Sequence, residues 1–142
     1  MSAPRYWREA NIRYNLIATE CETCKRVYFP ARVVCPYCHR RSIGKMKSVK
    51  LPQEGKVFSY TIVHDPHPDY KLQTPYVLAL VDLNGVKVLG QVVDCRPEDI
   101  AIEKKVKVCF RKLTEDGNAG IIHYGYKFRI LEKGEFDLGG NL

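Results

Sequence analysis

The 142-residue sequence has no apolar run approaching the roughly eighteen residues a helix needs to cross a bilayer, which excludes a membrane-spanning helix. Met1, Ser2, Ala3, Pro4 and Arg5 lead into Tyr6, Trp7, Arg8 and Glu9 without an apolar core. No secretory signal is read there, and a cytoplasmic location is expected. No Ser/His/Asp set, glycine-rich phosphate loop or interpretable carboxylate pair can be picked out. A chain without its own catalytic centre is therefore expected. There is also no internal repeat and no low-complexity segment.

What is present is a globular balance: 45% hydrophobic and 27% charged residues. The length suits one ordinary domain or two very small ones. The formal charge is +7, and four zinc-bound thiolates would lower it to about +5. That excess suits nucleic acid, a phosphate-rich cofactor such as coenzyme A, or an acidic protein, and does not choose among them.

Six cysteines would suit a disulfide scaffold in a secreted protein, but their spacing points elsewhere. Cys21-Glu22-Thr23-Cys24 and Cys35-Pro36-Tyr37-Cys38 are two C-x-x-C knuckles separated by ten residues. Two intervening residues let both thiolates of a tight turn face one ion, and two such knuckles complete a tetrahedron. Four soft ligands leave no open coordination position, so one structural Zn²⁺ is expected on Cys21, Cys24, Cys35 and Cys38. His39, next to the second knuckle, is superfluous to such a site.

Four zones follow along the chain. Residues 1–18 form an N-terminal arm and lead-in strand, with a short helix after Pro4 carrying Trp7 and Ile12 as apolar anchors. So short a helix is unstable alone, and Trp7 must dock either on the chain's own barrel or on a partner. Tyr14, Leu16 and Ala18 alternate with Asn15, Ile17 and Thr19 in a weakly strand-like way. Residues 19–50 form the zinc ribbon. Residues 51–131 hold five strand-like runs, at 56–64, 76–83, 86–94, 104–112 and 121–129. Asn84-Gly85 is a hairpin signal, and 97–100 read as one helical turn. Five strands with a turn of helix between the third and fourth predict an OB-fold. The fold class is mainly β: short helix, rubredoxin-like ribbon, five-stranded barrel. Residues 132–142, with Gly134, Gly139 and Gly140, read as a flexible tail.

Period-two alternation places Val106, Val108 and Phe110 with the core and Lys105, Lys107, Cys109 and Arg111 opposite. In the last run Tyr124, Tyr126 and Phe128 share one face, and His123, Lys127 and Arg129 the other. Cations beside Cys109 are expected to favour its thiolate. His64-Asp65-Pro66-His67-Pro68-Asp69 resembles an acid/base cluster, but its two prolines make it a rigid loop without an assignable base.

The ribbon is basic, with Lys25, Arg26, Arg32, Arg40, Arg41, Lys45, Lys47 and Lys50 among Tyr28, Phe29 and Tyr37. These charges are either a solvated face or an anion site.

Taken in order, several pieces resemble the zinc-ribbon/OB-fold proteins associated with acyl-CoA enzymes. They are Arg13-Tyr14, the two knuckles, Phe29-Pro30-Ala31-Arg32, the run from Gly55 to His64, Thr74-Pro75-Tyr76, Val93-Asp94 and Tyr124-Gly125-Tyr126-Lys127-Phe128. Departures are Ala31 where a proline is usual, and Lys25, His39 and Glu103 where glycine is usual. The resemblance implies a non-catalytic scaffold for thiolase-fold enzymes. In its archaeal form this bridges acetoacetyl-CoA thiolase and hydroxymethylglutaryl-CoA synthase in the mevalonate pathway. It also implies a possible contact with coenzyme A, for which Lys25, Arg26, Arg32 and Arg40 are the candidate anion-binding residues. Trp7, Tyr28, Phe29 and Tyr37 are the candidate partner-interface residues. The rival expectation is a protein binding single-stranded nucleic acid, since ribbons and OB-folds both serve there. Against it, Tyr76 is the only aromatic residue in the second and third barrel runs.

Overall fold

Pro4 stands in the first turn of helix α1, Ala3–Asn15, where its fixed φ suits the helix and its missing N–H costs nothing. Glu9 then pairs with Arg5 at 2.9 Å and Arg13 at 2.7 Å, one turn to either side. The helix ends where Leu16 takes a left-handed φ of 50°. Glycine is usual there; this position is a fully buried leucine, held by packing. The computed structural model describes residues 3–131, so the tail expected at 132–142 lies outside the described residues.

Strands β1 (Ile17–Cys21), β2 (Val27–Tyr28) and β3 (Met46–Lys50) form a small sheet in the order β2-β1-β3. The exposed residues of edge strand β3 are Lys47, Ser48 and Lys50, and charged side chains on an edge discourage pairing with other chains. Strands β4 (Glu54–Val63), β5 (Tyr76–Leu83), β6 (Val86–Val93), β7 (Lys105–Glu115) and β8 (Ile122–Ile130) close a barrel in the order β4-β5-β6-β8-β7. Asn84 and Gly85 both have positive φ, 55° and 89°, as the tight β5–β6 hairpin requires. A 3-10 turn at Pro97–Asp99 joins β6 to β7. This is the five-stranded barrel with an interposed turn that the sequence predicts.

Alternation along β5 buries Val77, Ala79, Val81 and Leu83, which meet Val57, Val88, Val92, Val106 and Phe128 in the barrel interior. Leu16, Ala18 and Leu51 belong to the same cluster, so the lead-in strand and the start of the barrel segment share one core.

Four expectations need correction. Tyr14 lies inside α1, and the strand begins at Ile17. The residue that docks the helix is Tyr6, 6% exposed, while Trp7 is 77% exposed. The Tyr6 hydroxyl accepts the Tyr124 N–H at 2.7 Å and donates to the Tyr124 carbonyl at 2.9 Å. Having spent its proton, it accepts from the Tyr14 hydroxyl at 2.6 Å. Phe110 and Tyr124 stack at 5.4 Å but are half exposed, because the long β7–β8 pair reaches past the interior and is covered there by Tyr14 and Tyr6. Lys127, expected at solvent, is only 5% exposed.

Candidate metal centre

The two knuckles repeat one backbone device. The Lys25 N–H donates to the Cys21 carbonyl at 2.8 Å, and the His39 N–H donates to the Cys35 carbonyl at 2.9 Å. Each turn closes through a left-handed residue, Lys25 at φ 59° and His39 at φ 49°. The turns thus adopt the geometry for which glycine is usual, without the glycine. Ser42, fully buried, accepts the Cys35 N–H at 2.9 Å and donates to the His39 carbonyl at 2.7 Å, bracing the second knuckle.

This brings the sulfurs of Cys21, Cys24, Cys35 and Cys38 within 4.8 Å of one another, with Cys24 and Cys35 at 3.6 Å. A tetrahedron of Zn–S bonds of about 2.3 Å has S···S edges of about 3.8 Å, so the donor set fits one Zn²⁺. Cys21 and Cys35 are fully buried. The thiols do not ionise alike. Burial pushes Cys35 up, but the Tyr28 hydroxyl and the Cys38 and Tyr37 backbone outweigh it and bring the thiol down to about 6. Burial and the neighbouring sulfurs push Cys38 up to about 12. Four thiolates together therefore require a cation, and a closed S₄ set suits a structural ion.

The remaining candidate residues divide. The Tyr28 hydroxyl lies 3.3 Å from the Cys35 sulfur and donates to it when the sulfur is a thiolate. Phe29 packs on Tyr126 at 5.8 Å. Both rings are taken up within the chain. Tyr37 is 70% exposed, and the Arg26 guanidinium lies 3.3 Å over its ring. Val33, Val34 and Ile43 are exposed in the same ribbon. The spacing rules did not single them out, and the only sequence signal was apolar residues in a short polar loop. Lys25, Arg32 and Arg40 are exposed too, and no ion pair to them, or to Arg26, exists among the described residues.

Elsewhere, His67 serves its own loop: its ring accepts the Asp69 N–H at 3.4 Å, at the start of the 3-10 turn Pro68–Gln73. Cys109 departs from expectation, because burial pushes its thiol up more than Arg111 pulls it down.

Residues 13–44 match the family model described as the ChsH2 rubredoxin-like zinc ribbon domain, and residues 48–111 the ChsH2 C-terminal OB-fold domain. A DUF35 domain-containing scaffold protein of Methanocaldococcus jannaschii is 44% identical over 129 residues, 90% of either chain. The chain belongs to the DUF35 scaffold-protein family. A solved structure described as Ltp2-ChsH2(DUF35) aldolase superposes with a TM-score of 0.66 at 25% identity, over 92% of this chain and 96% of that one. A probable enoyl-CoA hydratase alpha subunit of Thermomonospora curvata is 32% identical over 99 residues, 68% of this chain and 30% of that protein. The proteins this chain resembles therefore include ones named as scaffolds, one named as an enoyl-CoA hydratase subunit and one named with an aldolase.

Proposed function

We propose that this chain is a non-catalytic scaffold subunit that bridges acetoacetyl-CoA thiolase and hydroxymethylglutaryl-CoA synthase. The observation that supports the scaffold part of the reading is 44% identity, over 90% of either chain, to a protein named as a scaffold. Zn²⁺ on Cys21, Cys24, Cys35 and Cys38 would supply no chemistry beyond holding the ribbon rigid. The chain's own part is to present surfaces. Trp7 and Tyr37, both mostly exposed, are the proposed protein anchors, since large exposed aromatics dominate interface energetics. Lys25, Arg26, Arg32 and Arg40 carry charge that no acid among the described residues neutralises, and they are offered to a partner's carboxylates or to the phosphates of coenzyme A.

A bridge of this kind leaves each reaction unchanged. Holding the two active sites together raises the effective concentration of the shared acyl-CoA, so an unfavourable condensation is drawn forward by the next step. A cytoplasmic site of action goes with such partners. The test is co-expression of the chain with both enzymes from its source, followed by native mass spectrometry. A ternary complex that Trp7→Ala and Tyr37→Ala weaken, with faster coupled turnover, is the expected result. Two enzymes that never co-purify with the chain, or salt-sensitive binding of oligonucleotides in their place, would overturn it.

A further inference from the structure

The barrel carries a groove away from the cysteine cluster. Strands β6 and β8 pair only at Val92–Phe128 and Val93–Arg129. Beside that short ladder a cleft of about 340 Å³ opens. Leu78, Leu89 and Leu113 form its apolar lining, with Tyr70 and Tyr76 also facing it. Gly90 and Gly125 on its wall let neighbouring side chains close on the strand backbones. A Cβ on Gly90 would meet the Phe128 ring at 2.6 Å, and one on Gly125 would meet Leu113 at 2.6 Å.

Lys127 lines the same groove. It is 5% exposed, yet its ammonium has no hydrogen bond or ion pair with any described residue. Its titratable neighbours are the Cys109 thiol, which burial keeps protonated, and the cation Arg111, whose guanidinium is already held by Asp94 at 2.6 Å. Arg13, also on the groove, is held by Glu9. The Lys127 stem is covered while its ammonium still reaches solvent, which leaves an uncommitted cation at the wall of an apolar groove. Burial holds the Lys127 pKa below the ordinary lysine range.

We propose that this groove binds a small amphiphilic monocarboxylate, its carboxylate on Lys127 and its apolar chain along Leu78, Leu89 and Leu113. One uncommitted cation in a mostly leucine and tyrosine cleft matches one negative charge on an apolar body. A phosphate dianion would require more donors than the groove has free. This site goes beyond the bridging function and stands or falls separately from it.

The test is titration of the zinc-loaded full chain with octanoate and with octan-1-ol, followed by two-dimensional NMR. Octanoate should bind at one site about tenfold or more tightly than octan-1-ol, since a charge-assisted hydrogen bond is the difference. The shifts should fall on Tyr76, Leu89, Leu113 and Gly125. Lys127→Met should erase the preference while leaving octan-1-ol binding in place, and Lys127→Arg should restore it. Leu89→Asn, on a side chain 60% exposed and so harmless to the fold, should weaken both probes. Equal affinity for the two probes, shifts confined to the ribbon, or no octanoate binding at millimolar concentration would each overturn the proposal.

Discussion

Tyr6→Phe removes a single oxygen, and the structure says what that oxygen holds. It receives the Tyr124 N–H at 2.7 Å, donates to the Tyr124 carbonyl at 2.9 Å, and accepts the Tyr14 hydroxyl at 2.6 Å. Each such bond contributes about 1 kcal/mol net, and a buried group left without a partner costs about 1–3 kcal/mol. Tyr124 is 37% exposed, so water will replace part of what is lost. The expected destabilisation is about 1–2 kcal/mol. Tyr6→Ala also loses ring contacts with Tyr14 at 6.2 Å and His123 at 4.6 Å, for about 3–5 kcal/mol in all. Urea unfolding of the zinc-loaded chain measures the cost, and amide exchange at Tyr124 measures the place. Trp7→Ala serves as the control: at 77% exposure it should shift stability by less than about 0.5 kcal/mol. A Tyr6→Phe chain with an unchanged midpoint and an equally protected Tyr124 amide would refute this account of how the helix is held.

Three further outcomes are expected. Stripping zinc with a chelator, or Cys35→Ser, should collapse the NMR signals of residues 19–50, because structural zinc sites contribute on the order of 10 kcal/mol or more to folding; an intact ribbon spectrum without metal would contradict this. The Tyr14 phenol is raised to about 12, chiefly by its hydrogen bond to Tyr6 and then by burial, whereas an unfolded tyrosine titrates near about 10. The fold thus holds that proton more tightly than the unfolded chain. Its stabilising contribution is complete below about pH 10 and is lost as pH rises through about 12, and Tyr14→Phe should flatten that alkaline slope in a pH series of urea midpoints. Gly55→Ala should cost about 1–3 kcal/mol in the same assay, since its Cβ would come within 2.3 Å of the Asp82 backbone carbonyl and force β4 from β5.

How much of this was legible in the sequence depended on what kind of fact it was. The metal centre was plain, because its chemistry resides in residue type and spacing. The five barrel strands were plain because alternation is local. What alternation cannot tell is what covers a face. It placed Phe110 and Tyr124 beside the core, whereas that half of β7 and β8 lies under α1. It placed Lys127 outward, and outward proved to be a groove rather than solvent. Trp7 drew attention as the larger aromatic, yet Tyr6 and Tyr14, eight residues apart on one helical face, carry the docking. The positions where glycine was expected held their geometry: Lys25, His39 and Glu103 all adopt φ between 49° and 67°. The backbone requirement outlived the residue that usually meets it, at a cost of roughly 1 kcal/mol per position.

Rigidity is the property that joins this architecture to the proposed bridging function. The 51–55 stretch, with its Pro and Gly, is no free linker: Leu51 is buried in the common core, and its N–H donates to the Leu16 carbonyl at 3.1 Å. The ribbon is held again by Phe29 on Tyr126, and the arm by Tyr6 on Tyr124. Three separate contacts thus fix arm, ribbon and barrel against one another. Two enzymes joined through a flexible tether would share their intermediate at an effective concentration diluted by the tether's sweep. A bridge whose anchors stand on one body fixes the distance between the active sites instead. The exposed anchors Trp7 and Tyr37 stand on such a body, one on the docked helix and one on the cysteine-braced knuckle. Loosening the body without touching the anchors, as Tyr6→Phe does, should therefore slow coupled turnover while each enzyme still binds. Full coupling in that variant would mean that the scaffold acts by proximity alone.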